Sequence, residues 1–472
     1  MKEDSELYFS EDDNLPEIVK RYEAMVKTNR IAYFDVCDYE KMVDHYILQN
    51  RSEDAINVLR IARKQHPNSS ELTIKKAEIE LFSGRYNDAL VDLTSVEAME
   101  KNNPDFYLVK GKTLLATGKS DEALAMFELV LAKSTDQKLD MLFEVVAILE
   151  EHDEFERACS YLKTGLEIDP SNTQIYGELG FIEEKLNNTE AAIEAYEKML
   201  DGDPFLPYGW SNLGTLYAKL GKNDKAIEAF DYAIALEPDA PLSYFSKANA
   251  LANNGRFEEA LTVFFEYAKM EEDTALAMCC IGECYEKLSD FKNAAIYYRK
   301  SLDGNPDNPD ALYGLAVVEL EFDNVDESFK LATKAIELDP NIPEYWFGLG
   351  KLNMRLEKIE EAKAAFETAI ALDPLDFESW LLLSEIAADE SIPEGIEILR
   401  NALKGNPDIA ALHYRMAAYC YLHGGIEDSL AEFEKGLVLD SETAEEFFEF
   451  CADAVSDPRY LELLKKHLPS KN

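Results

Sequence analysis

Along most of the chain, apolar residues return every third and fourth position, the period of a helix with one buried face. The stretch from Pro207 shows it most clearly. Trp210, Leu213, Gly214 and Tyr217 fall on one stripe, Gly221 closes the segment, and a second stripe carries Ala226, Phe230 and Ala233 up to Pro238. This predicts two short amphipathic helices joined by a turn in which glycine takes a left-handed conformation. Gly214 and Ala226 are small where the two helices are expected to cross closely.

The pair recurs. Pro170, Pro204 and Pro238 lie 34 residues apart, as do Pro306, Pro340 and Pro374, with Glu272 in the slot between the two runs. Pro207, Pro241, Pro309 and Pro343 keep the same register three residues later. Proline suits the first turn of a helix and interrupts its interior, so the two series mark where one helix stops and the next starts; Asn308 before Pro309 adds an N-cap. Units are predicted to start at 36, 70, 104, 139, 173, 207, 241, 275, 309, 343, 377 and 410. The place between the two helices of each unit holds Asn50, Gly84, Gly118, Asp153, Asn187, Gly221, Gly255, Ser289, Asp323, Glu357, Ser391 and Gly424. Only Glu357 is not a usual turn residue. The chain is therefore read as an all-α solenoid whose units pack on their neighbours.

These residues resemble the tetratricopeptide repeat, whose pattern runs Trp-x2-Leu-Gly-x2-Tyr, then Ala-x3-Phe-x2-Ala, then Pro. The unit from 207 to 240 matches all eight positions, and the unit from 343 matches with Trp346, Leu349, Gly350, Ala362, Phe366, Ala369 and Pro374. The resemblance implies a right-handed α–α superhelix whose first helices line a concave groove for an extended peptide or a partner helix. It implies a scaffold or adaptor that binds protein and is not an enzyme. A regulatory or positioning subunit of a larger enzyme or secretion complex is the alternative, with an enzyme carrying an unrecognised site more remote.

Residues 36–443 are assigned to twelve tandem repeats, 1–35 to an acidic tail with a capping helix through Ile18, Tyr22 and Met25, and 444–472 to C-terminal capping helices. In that last segment Phe447, Phe450 and Cys451 repeat the anchor spacing, and Pro458 to Leu468 reads as a short basic helix. Two units depart from the pattern. The one at 70 has Thr73 in place of a large anchor, and the one at 377 has lost a residue near Asp389–Pro393.

Charge narrows the partners. Lysine plus arginine number 47 and aspartate plus glutamate 93, for a formal charge of −46. Such a surface repels phosphate backbones and anionic headgroups, which argues against nucleic acid and membrane as partners and favours a protein segment with basic residues. Solubility alone also accounts for the acidity. No apolar run reaches the roughly 18 residues of a membrane span. The start, Met1 to Glu6, lacks the order of a signal peptide, and the seven cysteines form an odd set with no framework spacing. A cytoplasmic protein is expected; its oligomeric state is left open.

Candidate chemistry is sparse. Gly111-Lys112-Thr113 and Gly118-Lys119-Ser120 look like the end of a phosphate-binding loop, but the glycine required five residues earlier is replaced by Phe106 and Thr113. Gly348-x-Gly350 fails in the same way. Cys279, Cys280 and Cys284 lack the paired spacing of a zinc site, and successive helical residues point about 100° apart. Cys284 is read as filling a place that admits only a small packed side chain. His413 holds an anchor place. No cofactor and no metal are expected.

The candidate binding surface lies opposite the apolar stripe of the first helices. In the unit at 207 that side carries Tyr208, Asn212, Thr215 and Lys219, with Ser211 on the flank. Tyr208's place runs Glu71, Asp105, Asp140, Gln174, Tyr208, Leu242, Leu276, Asp310, Glu344, Glu378 and Ala411, acidic towards both ends and uncharged in the middle. Ser211's place adds Phe245, Cys279, Tyr313 and Phe347. The expected protein-binding residues are Tyr208, Ser211, Asn212, Leu242, Phe245, Asn249, Leu276, Cys279, Tyr313 and Phe347, with a patch of Tyr208, Leu242, Phe245 and Leu276 at the centre. The competing reading is that first-turn acids favour the helix dipole and flank residues pack between repeats. Relatives that clasp a terminal carboxylate use lysine, asparagine and arginine on this side. Tyr208, Asn212, Leu242, Asn249, Leu276 and Glu283 supply no basic pair, which argues against that ligand.

Overall fold

The computed structural model describes residues 15–28, 31–134, 137–271 and 274–467. The acidic run before residue 15, the turn at Glu272 and Leu468 lie outside them. The described residues form helices with no strand among them, an all-α repeat superhelix. After the helix Leu15–Thr28, twelve helical hairpins run from Val36 to Leu439, followed by Glu445–Phe450, a 3-10 turn and Pro458–His467. The chain divides into two compact units, Met1–Leu216 and Tyr217–Asn472, with the boundary inside helix Pro207–Lys219.

Each hairpin closes in the same way. Eleven of the twelve turn places have positive φ, from 57° at Asn50 to 90° at Gly424, and these are all the positive φ values among the described residues. The amide after each turn residue donates back to the last turn of the first helix, as Lys222 does to the Tyr217 carbonyl at 2.9 Å and Arg256 to Leu251 at 2.9 Å. These bonds satisfy carbonyls that a helix end leaves open. Glu357 takes the left-handed conformation too, at φ 57°, although its Cβ disfavours it. That strain costs about 1–2 kcal/mol in a non-glycine residue. Glu357→Gly is therefore expected to raise stability by up to about 1 kcal/mol, once glycine's extra freedom in the unfolded chain is counted. Chemical denaturation checks it; a loss of stability would show that Glu357 is not strained.

The twelfth place is the exception. Ser391 is extended, with φ −157°, and closes helix Phe377–Glu390 while opening Ile392–Gly405. With one residue fewer in the turn the second helix starts directly from Ser391 and comes close to the first at Gly395. A side chain at Gly395 would meet the Ala388 Cβ at 2.8 Å and the Ser384 carbonyl at 2.9 Å.

Glycines inside the first helices have a different reason. A Cβ at Gly282 would lie 2.7 Å from the Tyr298 ring, and one at Gly350 would lie 2.5 Å from the Phe366 ring. Gly180 stands in the same relation to Tyr196, and Gly111 to Phe127. The small residue thus receives an aromatic ring from the second helix. Closeness of the two backbones is not what selects it.

The anchors also differ from their expected role. Trp346 Nε1 donates to the Pro340 carbonyl at 2.8 Å, Trp380 to Pro374 at 3.1 Å and Trp210 to Pro204 at 2.9 Å. Each indole latches the turn six residues upstream, at the junction with the preceding repeat. Tyr176 does the same with its hydroxyl to Pro170, and His413 with Nε2 to Pro407 at 2.9 Å. The other nitrogen of His413 lies 2.6 Å from Glu432, and both partners only accept, so the ring carries both protons. Burial opposes that charge, but the bonds to Glu432 and Pro407 outweigh it and raise the pKa. Thr73 is too short for the latch and instead donates to Ser69 one turn away.

Aromatic rings pack near both ends of the described residues. At the N-terminal end Tyr22 packs edge-on to Phe34 and against Tyr46. At the C-terminal end Phe447 stacks on Tyr460 at 4.9 Å, whereas Phe450 is covered by the Arg415 guanidinium at 3.9 Å from its ring centroid.

Several successive first helices touch one another: in the first unit Val36–Leu48 meets Ser70–Phe82, which meets Pro104–Ala116, and in the second unit Pro241–Asn253 meets Ala275–Lys287, which meets Pro309–Glu321. Successive second helices make no comparable contact among the described residues. The first helices therefore line the inner side of the local curve, and their outward side chains form the surface that a partner meets from within.

Candidate docking cleft on the inner helices

In the second unit three successive first helices, beginning at Ala275, Pro309 and Pro343, enclose a cleft of about 380 Å³. Its apolar and phenolic lining is Cys279, Val317, Ile342 and the rings of Tyr298, Tyr313 and Tyr345, with the exposed Leu276 at the mouth. Its walls are acidic, with Glu283, Glu286, Asp310 and Glu344. Tyr313 and Tyr345 lie ring to ring at 4.8 Å. The Tyr345 hydroxyl donates to Asp310 at 2.5 Å and the Tyr298 hydroxyl to Glu286 at 2.8 Å. Burial raises the pKa of Glu286; the Tyr298 hydrogen bond and the pull of Lys287 offset only part of that.

The thiols here are held neutral. Burial, reinforced by Glu283, pushes Cys280 and Cys284 up to about 12, and burial raises Cys279 further still. A thiol of that kind is a poor nucleophile and a poor metal ligand at neutral pH. Cys284 is buried as expected, but its place is not restricted to small side chains, because Leu216, Val318 and Leu352 fill it in other repeats.

The expected contact residues separate into groups. Leu276, Cys279 and Tyr313 come together at this cleft, with Cys279 only 7% exposed in its floor. Leu242 holds Leu276's place one repeat earlier; the two are 73% and 54% exposed. Phe245 is a packing residue, its ring against Phe264 at 5.9 Å and Tyr267 at 5.1 Å. Phe347 likewise packs on Phe366 at 6.0 Å, and Asn249 is half-buried outside the cleft. Both rings thus pack on the second helix of their own hairpin. Tyr208, Ser211 and Asn212 belong to the first unit. Tyr208 is half exposed, and Asn212 donates to the Tyr196 hydroxyl at 3.1 Å, which ties it to the preceding hairpin.

Seven lining residues escaped the sequence reading, among them Tyr298, Tyr345 and Glu286, and the first two left a signal. Tyr298 stands where Phe230, Phe264 and Phe366 stand in other repeats, and the added hydroxyl is what reaches Glu286. Tyr345 stands where Gly209, Ser243, Ala277, Ala311 and Ser379 are small. Glu286 carried none, in a chain with 93 acidic residues.

The first unit has an inner cleft of its own, about 360 Å³, among Glu40, Glu71, Glu78, Asp105 and Glu144. There Lys75 bridges Glu78 at 3.0 Å and Asp44 at 2.9 Å.

Comparison with known proteins agrees with this architecture. No curated protein matches the sequence. Among solved structures, one similar chain is a tetratricopeptide-repeat protein from Parabacteroides merdae ATCC 43184, 17% identical, covering 59% of this chain and 98% of its own, with a TM-score of 0.43. Another is from the APC/C hetero-tetramer Cut9–Hcn1, 14% identical, covering 85% of this chain and 86% of its own, TM-score 0.44. A third is YrrB, a repeat protein with an unusual peptide-binding site, 19% identical, covering 40% of this chain and 96% of its own, TM-score 0.31. At these identities and scores none of the three says what this chain binds. Family models described as tetratricopeptide repeat match residues 81–142, 173–204, 211–277, 281–343 and 343–376, together more than half the chain. With the helical hairpins, the left-handed turns and the rings seated on glycine, they place the protein in a family: the chain belongs to the tetratricopeptide-repeat proteins.

Proposed function

We propose that this protein-interaction scaffold holds an extended segment of a partner protein against the inner helices of its second unit, with Leu242 and Leu276 as contact side chains. The observation that carries the reading is their exposure, 73% and 54%, at the same place of successive inner helices. Apolar side chains repeated on one face beside a cleft lose more by facing water than they gain, unless a partner covers them. The acids around the cleft favour basic residues in that partner and disfavour a terminal carboxylate. Tyr208 is an additional contact of the first unit. The role is binding without catalysis, in the cytoplasm; among the described residues no helix is long and apolar enough to cross a membrane.

Leu242→Asp with Leu276→Asp tests the face directly. Both side chains are exposed, so helicity and melting should stay close to those of the parent. Capture of the chain's partner in quantitative affinity purification should fall at least tenfold. Undiminished capture by the folded double variant would sink the proposal.

A further inference from the structure

The two inner clefts differ in one respect that bears on the ligand. Lys75 and Glu78 sit six and nine places into the repeat that begins at 70, and their ammonium and carboxylate meet at 3.0 Å. The same two places in the repeat that begins at 275 are Cys280 and Glu283, and both line the second cleft. The carboxylate is kept and its cation is gone. Among the described residues, none of Glu283, Glu286, Asp310 and Glu344 has a lysine or arginine within 4.0 Å, although one lysine, Lys287, stands on the lining. Glu286 is half-buried there, and that desolvation is the main cause of its raised pKa. The cleft is also open, about 380 Å³, and phenol rings form part of its lining.

We propose that this cleft receives one arginine side chain of the partner segment, which supplies the cation that Lys75 supplies in the first unit. The inference rests on the docking face proposed above and names what that face recognises. A guanidinium fits the lining better than an ammonium. Its flat face can lie on the Tyr313 ring, and its five donors spread in one plane can meet carboxylates on different helices. Leu276 at the mouth covers the aliphatic stem. Three of the four carboxylates, Glu283, Asp310 and Glu344, are exposed, so the preference rests on several acids meeting one cation and not on a single buried pair.

The test uses the full chain and a synthetic end-blocked peptide, a single arginine flanked on each side by leucines, with a fluorescent label for anisotropy. A second peptide carries citrulline, which keeps the shape and removes the charge. The arginine peptide should bind at least tenfold more tightly than the citrulline peptide. Glu283→Gln with Glu344→Gln should remove most of that preference, while Glu360→Gln with Glu361→Gln, exposed on a second helix, should keep it. Cys280→Lys restores the cation of the first unit to the second cleft and should abolish the preference in a chain whose circular dichroism is unchanged. Equal binding of the two peptides, or a full arginine preference in the Cys280→Lys chain, overturns the proposal. If the peptides bind equally while Leu242→Asp with Leu276→Asp still loses partner capture, the docking face stands and the arginine subsite alone falls.

Discussion

Removing the chain from Pro458 onward should turn the protein into a self-associating one while most of its helicity survives. Tyr460 is fully buried in the last described helix, stacked on Phe447 at 4.9 Å and edge-on to Phe433 at 5.2 Å. Its hydroxyl is 2.6 Å from Ser429. Without it, Phe447 and the edge of Phe433 lose their cover, and each such ring is worth about 1.5–3 kcal/mol when moved from water to a packed interior. The last hairpin frays, but repeats further in still pack on their own neighbours, so the loss stays local. Sedimentation velocity should show concentration-dependent association, and circular dichroism should fall only by the share of the last helices. A truncated chain that is monomeric and equally stable would remove the capping role. Phe450 is expected to contribute little to the exposed face, because Arg415 covers it.

The second large effect concerns the ring that fills each glycine. Phe366→Ala empties a site that is fully buried, and changes of that kind cost about 3–5 kcal/mol. Gly350→Val alone presses two methyls into the same ring, a Cβ already lying 2.5 Å from Phe366, and should cost about 1–3 kcal/mol or more. Because the two side chains compete for one volume, the double variant should be less destabilised than the sum of the singles by more than about 0.5 kcal/mol. Denaturant titration of the four chains gives the coupling. Strict additivity would mean that ring and glycine do not share the space.

What the sequence revealed followed from what repeats. A residue that recurs every 34 positions has the same neighbours each time, so the turn places, the helix starts and the missing residue near Ser391 were all legible. Even Glu357, an unlikely turn residue by type, was marked by register alone, and its φ of 57° agrees. Contacts that depend on how one repeat sits on the next were harder to read. Trp346 shares its stripe with core residues, yet its indole turns upstream to the Pro340 carbonyl. Phe245 and Leu242 are three residues apart on one helix face, but only the structure separates the ring packed on Tyr267 from the side chain left in water. The cleft was legible in part. Leu276, Cys279 and Tyr313 came from helical geometry, whereas Glu286 is distinguished from dozens of other acids only by accepting the Tyr298 hydroxyl.

The central claim is that a partner lies along the inner helices of the second unit. Site-specific photocrosslinking measures that position without presuming the partner's identity. A photoreactive amino acid replaces Leu242 or Leu276 on the inner helices and, as outer controls, Ile296 or Ile359, which are exposed on second helices. One partner adduct should form from both inner positions and from neither outer one. Adducts from Ile296 or Ile359, with none from Leu242 and Leu276, would place the partner on the opposite side and contradict the central claim.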